Sequence, residues 1–183
     1  MTTTVILLAA GRSRRTSGLK QLYRVHGEYL INLQIRTLQS YGFNVAAVLG
    51  YEAERIQKVL NKDVMVIWNE KYEEGMFSSV KKALSTLNGD TFLFCHVDRP
   101  VPEHAVFKAL LKSKKAVAVA FYEGEKAPPV LIRASVKNTL IHSDLKRLDE
   151  WVVSQKEVDH VEVNDAKVHC NANTDEALKR YFG

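Results

Sequence analysis

The residues best suited to chemistry come first in the chain. In Val5-Ile6-Leu7-Leu8-Ala9-Ala10-Gly11-Arg12-Ser13-Arg14-Arg15-Thr16-Ser17-Gly18-Leu19-Lys20, an apolar run gives way to three small residues and then to a basic loop. Small residues let a ligand lie close to the backbone, whose N–H groups cradle an anion. Arg15 and Lys20 are placed to neutralise a polyphosphate. Ligands of α/β sheets sit beyond the carboxyl ends of strands, which is where this loop falls. Two familiar phosphate loops fail on spacing. A P-loop requires G-x-x-x-x-G-K-[ST], but Leu19 separates Gly18 from Lys20; a dinucleotide fingerprint requires a second glycine where Ser13 stands. A basic loop without function is the competing reading, and its position directly after a buried strand argues against it.

A second chemical group is Asp98, which follows the largely apolar run Thr91–Val97. A carboxylate there is costly to bury unpaired, so it is expected to emerge at the strand end or to meet a cation. His96 reads as a strand residue with a hydrogen-bonded ring, since no Cys/His cluster accompanies it to hold zinc. Cys95 and Cys170 give neither a disulfide framework nor a zinc spacing and are expected to be reduced, buried thiols of a cytoplasmic protein.

The charge distribution supports a local anion site. The chain has 183 residues, with 26 Lys and Arg against 21 Asp and Glu. Arg12, Arg14, Arg15, Lys20 and Arg24 all precede the first acidic residue, Glu28, and the rest of the chain balances. A nucleic-acid-binding domain would spread such an excess over a face. The apolar run Val5–Ala10 is too short to span a bilayer, and positive charges follow it where a signal peptide would have them first.

These groups need a scaffold. The sequence predicts strands over Thr4–Ala10, Asn44–Leu49, Val64–Trp68, Thr91–Val97, Ala116–Tyr122 and Val130–Arg133, several of them continuous apolar runs suited to burial on both faces. Helices are expected over Tyr29–Tyr41, Ala53–Leu60, Ser78–Leu87, Glu103–Lys112, Asp144–Val153 and Asp175–Phe182. Gly42 is a candidate stop for the first. Ser78 is the expected cap of the helix from Ser79, and Thr174 that of the last. Pro128-Pro129 reads as a turn entering a strand. The alternation of strands and helices argues for one α/β domain over residues 1–183, built on a mainly parallel mixed sheet.

Leu8-Ala9-Ala10-Gly11-x-Ser13-x-Arg15, followed by Lys20 and Leu22, resembles the LAAGxSxRMGxxKxL signature of nucleotidyltransferases related to the molybdopterin cytidylyl- and guanylyltransferases. Thr16-Ser17 stands where that family has Met-Gly. Asn69 to Ser79 is similar to its N-x5-G-M-x-x-S element. The run ending in Val97-Asp98-Arg99-Pro100 resembles its GDxP element, with Val97 in place of Gly. Pro129-Val130 matches weakly a strand lining the acceptor pocket, and Ala127 and Pro128 depart from it. Cys170-Asn171-Ala172-Asn173-Thr174-Asp175-Glu176 resembles its N-I-N-T-P-E element.

The resemblance implies a three-layer α/β/α Rossmann-like nucleotidyltransferase fold. It places an NTP against Leu8, Ala9, Ala10, Gly11, Arg12 and Ser13, with Asn69, Gly75, Ser78 and Ser79 beside base and sugar. It gives Arg15 and Lys20 to the triphosphate, and Mg²⁺ to Asp98 with Asn171 and Asn173. The implied reaction moves NMP from CTP or GTP to a phosphorylated small molecule such as molybdopterin, releasing pyrophosphate. A molybdenum enzyme or cofactor-insertion protein is the implied partner; nucleic acid and membrane are not. Three other readings stand beside it: a sugar-phosphate nucleotidyltransferase, a catalytically reduced nucleotide-binding or regulatory module, and a nucleic-acid-binding domain. Arg99 is read as crowding the ligand or adding a phosphate contact, and Met76 as packing.

Overall fold

The computed structural model describes residues 2–61 and 63–183. Seven strands form one sheet: β1 (Thr3–Leu8), β4 (Asn44–Leu49), β5 (Met65–Trp68), β6 (Thr91–His96), β7 (Val117–Tyr122), β8 (Glu125–Arg133) and β9 (Val158–Glu162). Their order is β5-β4-β1-β6-β8-β7-β9. Every pairing is parallel except the two made by β8. A two-stranded hairpin, β2 (Arg24–Val25) with β3 (Glu28–Tyr29), lies apart from it.

Central strand β1 shows why the molecule has three layers. Its side chains alternate between faces. Val5 and Leu7 join one buried cluster with Ile31, Ile35 and Leu38 of α1 (Leu30–Ser40), Ile56 of α2 (Ala53–Gln57), and Phe107 and Leu110 of α4 (His104–Lys112). Ile6 and Leu8 join the other, with Phe77, Val80 and Leu84 of α3 (Met76–Thr86), Leu140 of α5 (Lys137–Ile141), and Trp151 of α6 (Leu148–Ser154). A third, small cluster of Val25, Leu30, Ala172 and Leu178 docks α7 (Asp175–Phe182) beside the hairpin. That packing brings the C-terminal segment to the carboxyl edge of the parallel strands.

Several expectations shift. The first strand ends at Leu8, so Ala9 and Ala10 belong to the loop, although the Ala9 N–H still bonds the Val48 carbonyl at 2.9 Å. α2 stops at Gln57, α6 starts only at Leu148, and α5, β9 and the β2–β3 hairpin lacked a sequence signal strong enough to find. Ser78 is not a cap: Gly75, at φ 100°, precedes the helix, which begins at Met76. Thr174 does cap α7, accepting from the Ala177 N–H at 3.2 Å.

Pro128-Pro129 lies inside β8, not at a turn. The chain reverses earlier, at Glu123-Gly124, both in the left-handed region that a two-residue hairpin turn demands. Lacking N–H donors, the prolines fall in the interruption between Ala127 and Val130, where the pairing with β7 changes register.

Candidate active site

The N-terminal loop is held by its own polar side chains. Gln21, almost fully buried, donates from Nε2 to the carbonyls of Ala9 at 2.6 Å and Gly11 at 3.1 Å. Ser13 adopts the left-handed region at φ 53°. Its Oγ accepts from the Lys20 N–H at 3.0 Å and donates to Gln21 Oε1 at 3.3 Å. Thr16, in place of the family's methionine, sets its hydroxyl between the carbonyls of Ser13 and Gly18, at 2.9 and 2.8 Å. From outside, the Asp175 carboxylate accepts the Ser17 N–H. These bonds fix a curled backbone before any ligand arrives.

The loop opens onto two adjoining cavities. One, of about 280 Å³, is lined by Leu8, Ala9, Ala10, Gly11, Ser13 and Lys20 on one side and by Gly75, Met76, Ser79, His96 and Asp98 on the other. The second, of about 600 Å³, is lined by Arg12, Arg14, Arg15, Lys20, Asp98 and Asn173. A Cβ added to Gly11 would meet nothing within 4 Å. The first cavity suits a base and sugar, and the second a chain of phosphates.

Three sequence candidates meet between them. Lys20, buried, donates from Nζ to Asp98 Oδ2 at 3.1 Å and to Asn173 Oδ1 at 2.7 Å. The Asp98 carbonyl accepts the Ala172 N–H at 2.7 Å, so the C-terminal segment is docked directly on this strand end. Asn171 Oδ1 is buried with no hydrogen-bond partner among the described residues. Asp98 thus meets a cation, one of the two outcomes expected of its position. The donor set suits a magnesium-type ion, with the Asp98 carboxylate and the Asn173 carboxamide oxygen completed by substrate phosphates, whereas Asn171 lines neither cavity.

Other candidates have different roles. Asn69 is buried with its carboxamide committed, donating to Ser78 and Ser79 Oγ at 2.9 Å each and accepting the Lys71 N–H at 3.0 Å. It shapes the turn into α3. Ser78 lies within hydrogen-bonding distance of the Lys71 and Gly75 carbonyls, while Ser79 lines the base-sized cavity. Met76 is 49% exposed on that cavity, and so is not the packing residue expected.

Arg12 pairs with Glu73 and lies over the rings of Tyr51 and Tyr72, at 5.2 and 5.6 Å. Arg24 turns away to the hairpin, over Tyr29. Of the five early cations, only Arg14 and Arg15 lack an ion pair or ring partner among the described residues.

Strand β6 explains its own substitutions. Val97 packs into the core and also lines the smaller cavity beside Asp98. Arg99 bonds the Val168 and Cys170 carbonyls at 3.1 and 3.3 Å, bracing the C-terminal segment and contacting no phosphate space. The His96 ring makes no hydrogen bond among the described residues, contrary to expectation. Burial pushes its pKa down, opposed by Asp98 and aided by Arg99, so the ring is neutral near pH 7. Burial pushes the Cys95 thiol up to about 12, whereas Cys170 is only half-buried.

Sequence reasoning missed Gln21, Tyr72 and the role of Asp175. Tyr72 lines both cavities and packs where a Cβ on Gly50 would lie 2.5 Å from its own Cβ. An exposed basic loop gave no cue that an amide would fold back beneath it.

A glycine-led loop at the carboxyl edge of parallel strands, facing a carboxylate held by a lysine, defines a nucleotide-binding α/β transferase. The MobA-like NTP transferase domain model matches residues 5–163, and the chain belongs to that family. It is 30% identical over 110 residues to the bifunctional protein GlmU of Thermosipho melanesiensis, a match covering 58% of this chain and 24% of that protein. The chain thus spans only about a quarter of that relative. Its fold is similar to Rv0371c of Mycobacterium tuberculosis in complex with manganese (TM-score 0.82, 19% identity, 100% of this chain and 98% of that one). It is also similar to molybdopterin-guanine dinucleotide biosynthesis protein A of Archaeoglobus fulgidus (TM-score 0.76, 19% identity, 98% and 96%). Among the described residues no helix is long and apolar enough to cross a membrane.

Proposed function

We propose that the chain, acting as one cytoplasmic domain, transfers NMP from CTP or GTP to a phosphorylated small molecule such as molybdopterin, releasing pyrophosphate. The observation that carries this reading is the convergence of Lys20, Asp98 and Asn173 where a base-sized cavity meets a cation-lined groove. The acceptor phosphate attacks the α-phosphorus in line, so no covalent protein nucleophile is required. Leu8, Ala9, Ala10 and Gly11 orient the nucleotide through their backbone, and Ser79 faces its base or sugar. Arg15 and Lys20 offset charge developing on the leaving pyrophosphate, as preorganised groups do at low dielectric.

Asp98 with Asn171 and Asn173 would hold Mg²⁺, which would supply positive charge to polarise the substrate phosphates. The likeness to a manganese complex supports a divalent ion. A molybdenum enzyme or an insertion protein is the proposed recipient of the product.

A second reading is transfer to a sugar phosphate or another phosphorylated acceptor. The space between His96, Arg99, Pro128, Pro129 and Lys167, where the resemblance puts the acceptor, measures only about 10 Å³. Either acceptor needs that side to open. The test is pyrophosphate release with each of four NTPs and Mg²⁺, with molybdopterin, with sugar phosphates, and with neither. Turnover with molybdopterin selects the first reading and turnover with a sugar phosphate alone the second. No release with any pairing overturns both.

A further inference from the structure

The candidate metal-holding groups already hold a cation, and it belongs to the chain. Lys20 is 7% exposed, yet its ammonium is not spent on a distant structural pairing. It lies 3.1 Å from Asp98 Oδ2 and 2.7 Å from Asn173 Oδ1, on two of the three oxygens expected to ligate a divalent ion. Asp98 is the one carboxylate among those ligands, the groove's other lining carboxylate, Glu73, being paired with Arg12, and no group of three or more His, Cys, Asp and Glu suited to a metal exists among the described residues. The carboxamides bring no charge. Lys20 therefore already balances the single negative charge that would attract a metal. Arg14 and Arg15, without an ion pair among the described residues, add positive charge to the same groove.

A dication entering this groove alone would face a contact-distance ammonium and two guanidinium groups at low local dielectric. A nucleotide changes the sign of the problem. Its phosphates bring the negative charge the protein lacks, and they give Lys20 an alternative partner within reach of its flexible stem.

We infer that Lys20 is the resident cation of the Asp98–Asn173 site in the nucleotide-free protein, excluding divalent metal until phosphates draw its ammonium away. This rests on the nucleotidyltransferase reading above, because the order it sets is that metal enters with or after the nucleotide. The lysine then has two successive roles, as placeholder at Asp98 and as phosphate ligand. The same residue that keeps the free site neutral is released by the substrate that needs it.

The test is Mn²⁺ binding to the free protein, followed by electron paramagnetic resonance, for wild type, Lys20→Met and Lys20→Gln. The expected result is no saturable binding to wild type and at least tenfold tighter binding to either variant. Adding Asp98→Asn to Lys20→Met abolishes that gain. Equal Mn²⁺ affinity in wild type and both variants overturns the inference.

Should neither variant fold, reductive methylation of the wild type decides. Lys20 in the free protein is expected to react far more slowly than Lys71, whose side chain is 75% exposed. Equal rates overturn the inference. Failure of the underlying reading looks different: no NTP binds wild type with or without Mn²⁺, whatever the metal titration of the free protein gives.

Discussion

Asp175 accepts the Ser17 N–H with both carboxylate oxygens, at 3.0 and 3.2 Å, across 158 positions of sequence. The first turn of the last helix thereby grips the loop where the family signature has glycine. A charge-assisted bond of this kind, partly screened by solvent, contributes about 1 kcal/mol. Asp175→Ala should lower stability by about that amount, read by urea denaturation. It should raise KM for the NTP several-fold while leaving kcat nearly unchanged, since the loop loses its preset shape and not its reacting groups. A fall in kcat alone would assign Asp175 elsewhere.

Gln21 is the internal brace of the same loop. Gln21→Leu removes both bonds and leaves the Ala9 and Gly11 carbonyls facing an apolar group. An unsatisfied buried acceptor costs about 1–3 kcal/mol, so a drop of that order in unfolding free energy is expected, with weakened nucleotide binding. Wild-type stability in this variant would mean the loop is shaped by other contacts.

Gly11→Ala separates ligand contact from folding. The added methyl meets nothing within 4 Å, so thermal stability should match wild type. Nucleotide affinity should nevertheless fall at least about tenfold, about 1.4 kcal/mol, because the methyl enters the space assigned to base and sugar. Unchanged affinity would move the nucleotide away from this part of the loop.

Gly50→Ala is the opposite case. Its Cβ would sit 2.5 Å from Tyr72 Cβ and 2.9 Å from Ala10 Cβ, and neither is a free side-chain end. Overpacking of this kind costs about 1–3 kcal/mol, measurable as a lower Tm. Tyr72 is displaced from the wall of both cavities, so NTP binding should weaken with it.

Cys95 gives a pH prediction with a definite sign. Burial raises its pKa from 9.0 to about 12, so the folded thiol stays protonated where the unfolded one ionises. Its contribution to stability is complete below pH 9 and is lost as pH rises from 9 towards 12. Cys95→Ala should flatten that alkaline decline. At pH 8, a thiol reagent should modify Cys170 rapidly and Cys95 only after denaturant is added.

Local pattern was enough for a large part of this protein. The continuous apolar run Val5–Leu8 specified a strand buried on both faces, and hence layers of helix on each side. The small residues and cations after it specified an anion loop, and the apolar run before Asp98 meant that this carboxylate would emerge at the strand end or meet a cation. Short or weakly patterned elements escaped: α5 has five residues, and β9 alternates half-buried with exposed residues at the sheet edge.

Which cation meets Asp98 was decided only by the tertiary structure. Lys20 reaches Asp98 across 78 positions and Asn173 across 153. The sheet order, with β1 beside β6 and the C-terminal segment docked on Asp98, sets those distances. Residue type and spacing fix what a side chain can do and which face it occupies. Its partner depends on strand order and on packing between segments far apart in sequence, and no local periodicity encodes either.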